Sequence, residues 1–280
     1  MIGVFDSGFG GLTVLKELLK LLPEYDYIFL GDQARTPYGN RSQEAIITFT
    51  EEGVNFLFEK GAKIVLIACN TASADALRAL QAKYGATKKV LGTIIPAVEQ
   101  ALQKSRYGRI GLIGTRSTVQ SGNYEKELEK LSAIHWQSQE KKAQKKPTLI
   151  AVPAPLLVPL IEEGWLRRPE ARMILKKYLM PLKHANIDTL ILGCTHFPLL
   201  EKEFARKMGK NCRIINSGKV QAEAFVNYLE RHPEIEKTLS HEGKREFFTT
   251  DSVAHFQNLG EKFLGQKMKT VAQVSLSSTS

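Results

Sequence analysis

The sequence predicts an α/β protein of two similar domains, each with a mostly parallel sheet flanked by helices. Three observations lead there. Short apolar runs alternate with amphipathic helical patterns along most of the chain, the mark of strand–helix–strand units. A strand-plus-cysteine segment, Ile64-Val65-Leu66-Ile67-Ala68-Cys69-Asn70-Thr71, is echoed by Thr189-Leu190-Ile191-Leu192-Gly193-Cys194-Thr195-His196. The 280 residues, 43% hydrophobic and 24% charged, have an ordinary globular composition and suffice for about two domains at roughly 150 residues each.

Taken in order, the first strand, Ile2 to Phe5, runs into Asp6-Ser7-Gly8-Phe9-Gly10-Gly11, a glycine-rich turn that opens a helix. Leu12, Leu15, Leu18, Leu19 and Leu22 share one face of that helix. Tyr27 to Leu30 is the second strand, and a helix carrying Phe49 and Phe56 ends at Gly61. Strands Ile64 to Ala68 and Val90 to Ile94 follow, with a domain boundary expected near Thr93 to Pro96. The second domain, residues 95–209, takes strands Arg109 to Ile113, Leu149 to Val152 and Thr189 to Leu192. The first domain, residues 1–94, is completed by 210–280. This return segment holds strands Arg213 to Ile215, Phe247 to Thr250 and Val271 to Val274 and a helix through Phe256 and Phe263. In both cysteine segments an apolar strand stops at a small residue, then polar residues lead into a helix, which is where α/β folds place ligands. The cysteine-bearing edges are therefore expected to face one another across a cleft holding the active site.

Composition and charge exclude several classes. No apolar run reaches 18 residues, and the longest candidate, Leu149 to Ile161, carries Pro153, Pro155 and Pro159, so no spanning helix is expected. Only Ile2 to Phe5 precede Asp6, too short for a signal-peptide core, and three cysteines cannot all pair within one chain. A reducing, cytoplasmic setting is the expectation. The net charge of +10 invites a nucleic-acid reading, but the basic residues are spread along the sequence. The densest cluster, Lys141, Lys142, Lys145 and Lys146 before Pro147, has no interleaved aromatics and reads as a solvated loop.

An isolated free cysteine is usually a small core residue. Cys69 and Cys194 depart from that because each follows an apolar strand at the same offset and is succeeded by polar residues, so both are candidate functional thiols. Cys212, between Asn211 and Arg213, lacks this setting and reads as structural. Zinc is disfavoured: Cys194 and His196 have no second close pair, and His135, His184, His232 and His241 fall outside the strand-end motifs. A dithiol redox pair would need C-x-x-C, which is absent. Gly8, Gly10 and Gly11 fail the G-x-G-x-x-G spacing, and Asp6 would repel a pyrophosphate. Asp6 reads better as a base or a base's orienter, with Ser7 and the glycine N–H groups binding a carboxylate.

These motifs together resemble the glutamate racemases, within the aspartate/glutamate racemase superfamily. The resemblance rests on Asp6-Ser7-Gly8-Phe9-Gly10-Gly11, Pro37-Tyr38-Gly39, Ala68-Cys69-Asn70-Thr71-Ala72, Gly114-Thr115 through Thr118, and Leu192-Gly193-Cys194-Thr195-His196-Phe197-Pro198-Leu199-Leu200, and spans nearly the whole chain. It implies cofactor-independent interconversion of L- and D-glutamate, with no metal, supplying D-glutamate for bacterial peptidoglycan precursors, in a homodimer without membrane or primary nucleic-acid partners. By the same resemblance, Cys69 and Cys194 are the catalytic thiols and Asp6, Asp32, Glu162 and His196 the supporting acids and imidazole, Glu163 being the neighbouring alternative to Glu162. Ser7, Pro37, Tyr38, Gly39, Asn70, Thr71, Thr115, Thr118 and Thr195 are implied substrate-binding residues, beside Asp6, Cys69, Cys194 and His196. The chain departs from the family pattern at Ile95, where a polar residue is frequent, near Ala154-Pro155, where a cysteine is usual, and at Asn216-Ser217-Gly218, where Asp-Ser-Gly is frequent.

The chemistry of the residues agrees. Inverting a stereocentre needs a base on one face of the α-carbon and an acid on the other. Cysteine, with an ordinary pKa of about 8.5, suits both roles after modest tuning. Two alternatives stand beside this reading: a racemase of another acidic amino acid such as aspartate, and, in a different class, a basic nucleic-acid-binding or regulatory protein.

Overall fold

The computed structural model describes residues 1–85, 87–135 and 146–276. Two wholly parallel sheets organise them. The first has six strands in the order β10-β9-β2-β1-β3-β4: β1 Ile2–Asp6, β2 Tyr27–Gly31, β3 Ile64–Ile67, β4 Lys89–Leu91, β9 Arg245–Thr249 and β10 Val271–Gln273. The second has four, in the order β6-β5-β7-β8: β5 Arg109–Gly114, β6 Thr148–Pro153, β7 Thr189–Gly193 and β8 Arg213–Asn216.

The central strands are apolar on both faces because helices cover both sides of a parallel sheet. Val4 sits in register between Phe29 and Leu66, and every residue of β1 is buried. The helix Leu12–Leu21 turns Leu12, Val14, Leu15 and Leu18 inward and packs on the helix Ser217–Arg231. Gly53 lets the helix Gln43–Glu59 lie against Phe5, whose ring a Cβ there would meet at 2.3 Å. One continuous apolar cluster runs from Val4 and Phe29 of the first sheet to Ile113, Leu190 and Leu192 of the second, so the two sheets share a core.

Two expectations change. The strand expected over Val90 to Ile94 stops at Leu91, and Ile94 begins the helix Ile94–Lys104. Pro96 lies in that helix's first turn, where a missing N–H costs no hydrogen bond. β8 pairs with β7, so residues 213–216 complete the second sheet, and the chain rejoins the first sheet at β9 rather than from residue 210. Lys141, Lys142 and Lys145 lie outside the described residues, while Lys146 pairs with Glu129 at 3.4 Å.

In each sheet the chain leaves a central strand in both directions: β1 is flanked by β2 and β3, and β5 by β6 and β7. Such reversals leave a crevice beyond the carboxyl ends of the strands, where open α/β sheets hold ligands. Asp6 and Cys69 lie at the first crevice, and Thr115 and Cys194 at the second.

Candidate active site

Cys69 lies two residues beyond β3 and caps the short helix Asn70–Asp75, its Sγ accepting from the Ala72 N–H at 3.4 Å. The Ser7 hydroxyl approaches the same sulfur at 3.4 Å. Burial pushes the Cys69 thiol up to about 12, the Asp6 carboxylate pushes the same way and Cys194 adds to it, while Ser7 and the Ala72 N–H pull it down. The resting form of Cys69 is therefore a thiol, and the two sulfurs are near enough to sense each other.

Asp6 is fully buried at the end of β1. Desolvation raises its pKa, opposed in order by His196, the Gly11 and Gly8 N–H groups and Thr195. Gly8 donates its N–H to Asp6 Oδ2 at 3.0 Å. The expectation that the glycine N–H groups bind a carboxylate thus takes a different form: they bind the protein's own Asp6, because the turn folds back onto it.

At the second crevice Cys194 Sγ lies 4.0 Å from His196 Nδ1, and His196 Nε2 meets Glu162 Oε1 at 2.8 Å. Phe263 packs edge-on to the imidazole at 5.2 Å and Phe9 at 6.5 Å, shutting it away from water. Burial alone would lower His196, yet Cys194 and Glu162, by hydrogen bonding and charge, raise it above the usual imidazole range. Glu163 is exposed, so of the adjacent pair Glu162 is the one joined to the histidine.

The two halves interlock tightly around these groups. Thr195 Oγ1 donates to Asp6 Oδ1 at 3.4 Å, and Thr13 Oγ1 donates to the Thr195 carbonyl at 2.9 Å. A Cβ on Gly10 would stand 2.1 Å from Thr195 Oγ1 and 2.6 Å from His196 Nδ1. Gly39 lies equally close to Thr115, 2.6 Å from an added Cβ, which seats the turn Tyr38–Asn40 over the crevice. A cavity of about 420 Å³ lined by Gly39, Arg41, Asp75 and Arg116 opens beside that turn.

The remaining expected residues fall into three layers. The hydroxyls of Thr71, Thr115 and Thr118 form a triangle with sides of 2.9, 2.9 and 3.3 Å. Asn70 accepts the Tyr124 hydroxyl on Oδ1 at 2.7 Å, leaving its buried Nδ2 without a partner. Tyr38 is buried and donates to Asp32, whose Oδ2 also takes Arg35 Nε at 2.7 Å and whose Oδ1 takes Thr250 at 2.8 Å. The Asp32 carboxylate accepts from all three, so it holds the Tyr38 hydroxyl in place. Pro37 is exposed and leads into the turn that carries Tyr38 inward.

Sequence reasoning missed Tyr124, Thr13 and Gln33. Tyr124 occupies an ordinary buried helical position, and only the need of a buried phenol for a partner would have hinted at more. Gln33 Oε1 is buried and unpartnered, 3.1 Å from where a Gly8 Cβ would be. Of the departures from the family pattern, Asn216 caps the helix Ser217–Arg231 by accepting from the Lys219 N–H at 3.2 Å, as an aspartate would. Ala154 fills a core position, and Ile95 is half-exposed.

A metal-binding cluster of histidine, cysteine and carboxylate side chains is absent among the described residues, as is a helix long and apolar enough to cross a membrane.

Comparison with known proteins bears on this arrangement. The family model for Asp/Glu/Hydantoin racemase matches residues 2–225. A glutamate racemase of Geobacter metallireducens is 39% identical over 275 residues, covering 98% of this chain and 96% of the relative. Among solved structures, a glutamate racemase isoform from Bacillus anthracis superposes with a TM-score of 0.88 at 36% identity, covering 99% of this chain and 97% of that one. The glutamate racemase of Francisella tularensis, solved with D-glutamate, has a TM-score of 0.86 at 32% identity, covering 99% and 98%.

Proposed function

This chain belongs to the Asp/Glu/Hydantoin racemase family, and from that premise we propose how it interconverts L- and D-glutamate: Cys69 and Cys194 act as acid and base on opposite faces of the α-carbon. One observation carries the reading. Each thiol follows a strand at the crevice of its own sheet, and each has its own proton-handling neighbours: Ser7 and Asp6 for Cys69, His196 and Glu162 for Cys194.

The two surroundings differ, and the difference sets a direction. Cys69 rests as a thiol, a proton donor. His196, made more basic by Glu162, is equipped to take the Cys194 proton. The Cys194 thiolate then breaks the Cα–H bond of L-glutamate and becomes a thiol, while Cys69 donates its proton to the other face and becomes a thiolate. That thiolate is steadied by the Ser7 hydroxyl and the Ala72 N–H, and in the reverse direction it removes the proton of D-glutamate. The carbanionic state forms among buried groups, where hydrogen bonds to the substrate carboxylates are strong. The unpartnered Asn70 Nδ2 and the hydroxyls of Ser7, Thr71 and Thr115 are the donors offered to those carboxylates. The wider role, supply of D-glutamate for peptidoglycan, and a homodimeric state rest on the resemblance to the glutamate racemases. D-glutamate auxotrophy of a deletion strain and sedimentation of the purified protein test them.

The decisive experiment separates the thiols. Solvent deuterium is expected at Cα, in turnover that survives exhaustive chelation and needs no added pyridoxal phosphate. Cys69→Ala and Cys194→Ala should each abolish racemisation. With a β-substituted substrate that can expel a leaving group after deprotonation, Cys69→Ser should process only the L form and Cys194→Ser only the D form, while Cys212→Ser behaves as the parent. Equal processing of both enantiomers by either serine variant would show that the two thiols do not face opposite sides.

A further inference from the structure

At the end of the second sheet opposite the thiols, the loops before β5, β7 and β8 enclose a cavity of about 630 Å³. Lys104, Arg106, Arg109, Lys183, Lys210 and Arg213 line it. They come from three separate stretches of chain, which is why the basic residues look scattered along the sequence and are gathered only by the fold. Among the described residues, none of the six is in a salt bridge.

The cavity has one carboxylate, Asp188, and its oxygens are already used. Oδ1 accepts from Ser105 Oγ at 2.6 Å and Thr189 Oγ1 at 2.9 Å, and Oδ2 from the Tyr107 N–H at 2.6 Å. Asp188 therefore braces the loop rather than pairing with the cations. Tyr107 does more than fill space, since the guanidinium groups of Arg106 and Arg109 lie 5.2 and 5.1 Å from its ring centroid. Cation–π attraction holds both groups at the mouth. Six like charges gathered around one carboxylate leave repulsion that Asp188 offsets only in part and that no salt bridge relieves among the described residues, whereas a multiply charged anion would relieve it. Guanidinium and ammonium groups together match phosphate oxygens, the arginines by paired N–H donors and the lysines as point charges.

We propose that this cavity is a binding site for a compact polyphosphate group, such as the di- or triphosphate of a nucleotide, distinct from the racemisation site. Its volume suits a molecule of nucleotide size. A concave cavity, unlike a long basic stripe, selects a short anion over a nucleic-acid duplex. The site lies one strand length away from the thiols, at the opposite ends of β5 and β7, so occupancy leaves the catalytic groups accessible.

Isothermal titration calorimetry on the full chain with inorganic tripolyphosphate, with a nucleoside triphosphate and duplex DNA as parallel arms, tests the proposal. The expected result is saturable one-to-one binding of tripolyphosphate and the nucleotide, weakening as salt is added. The triple charge reversal R106E/R109E/R213E should bind at least about tenfold more weakly, while K126E/K177E/K237E, with the same change in net charge at exposed positions elsewhere, should bind as the parent does. Retained racemisation shows that the triple variant is folded. Should it not fold, Tyr107→Ala, which frees the two guanidinium groups, should weaken binding several-fold. No saturable tripolyphosphate binding, equal loss in both triple variants, or duplex DNA that tripolyphosphate cannot displace would each overturn the proposal.

Discussion

His196 is where the proton chemistry of a single residue becomes measurable. Its folded pKa lies above the unfolded imidazole value of about 6.5, so protonation favours the folded state. That contribution is fully present below the unfolded value and is lost as pH rises through the folded one. Removing the charge of Glu162 should bring the folded value down and shrink the loss. Urea unfolding at about pH 6 and about pH 8.5 should therefore show roughly 1–2 kcal/mol less pH dependence for Glu162→Gln than for the parent. The same variant should lose about 10- to 100-fold in L-to-D kcat, with the limb of its pH profile displaced toward acid. Glu163→Gln, altering an exposed side chain, should match the parent in both measurements. A Glu162→Gln variant with the parent's pH profile would mean that the 2.8 Å contact does not tune the imidazole.

At the scale of elements, the turn between β1 and its helix is one of the contacts through which the two halves of the site meet. Gly10 has no room for a side chain because Thr195 and His196 come from the opposite half of the cleft. Gly10→Ala must push β1's turn away from His196, and Thr13, whose hydroxyl reaches the Thr195 carbonyl from the following helix, would be displaced with it. The expected cost is about 1–3 kcal/mol of stability by denaturant midpoint, as for overpacking elsewhere. Because the displaced group is His196, the fall in kcat should exceed what that destabilisation explains. Parent-like kcat in Gly10→Ala would show that the halves of the site tolerate separation. The same turn explains why its glycines resemble a phosphate loop without being one: Gly8 and Gly11 hold Asp6 with their N–H groups, and an added Cβ on Gly11 would lie 2.5 Å from the Asp6 Cβ.

On the scale of the whole molecule, the thiols belong to different sheets and both are buried, Cys69 at 4% and Cys194 at 6% exposure. Substrate entry requires the crevice to open, and a bound substrate should hold both sheets together. D-glutamate at 100 times its Kd should stabilise the protein by about 2.7 kcal/mol. Amide hydrogen exchange should slow after β3 and after β7 alike, near residues 69–73 and 194–197. Protection confined to one of the two segments would place the substrate in one half rather than between them.

How much of this was legible without coordinates follows from range. The ten strands among the described residues could all be read within a residue or two, except the end of β4, because strand and helix periodicity is local and the runs are strongly apolar. Cys69 and Cys194 stood out for the same reason, since a thiol at a strand's carboxyl end is a local pattern. The pairing of β8 with β7, the triangle of Thr71, Thr115 and Thr118, and the grip of Tyr124 on Asn70 are contacts between residues 24 to 54 positions apart, except within the triangle, where Thr115 and Thr118 are three apart. Nothing in a one-dimensional pattern encodes such partners. The sequence by itself determined the α/β class, the strand order along the chain and the two thiols. Only the tertiary structure decided that Glu162 rather than Glu163 meets His196, that Asp32 serves Tyr38, and that scattered basic residues share one cavity. Each of these depends on where a side chain points after distant strands have paired, and burial and Coulomb forces act on that distance in space rather than on spacing along the chain.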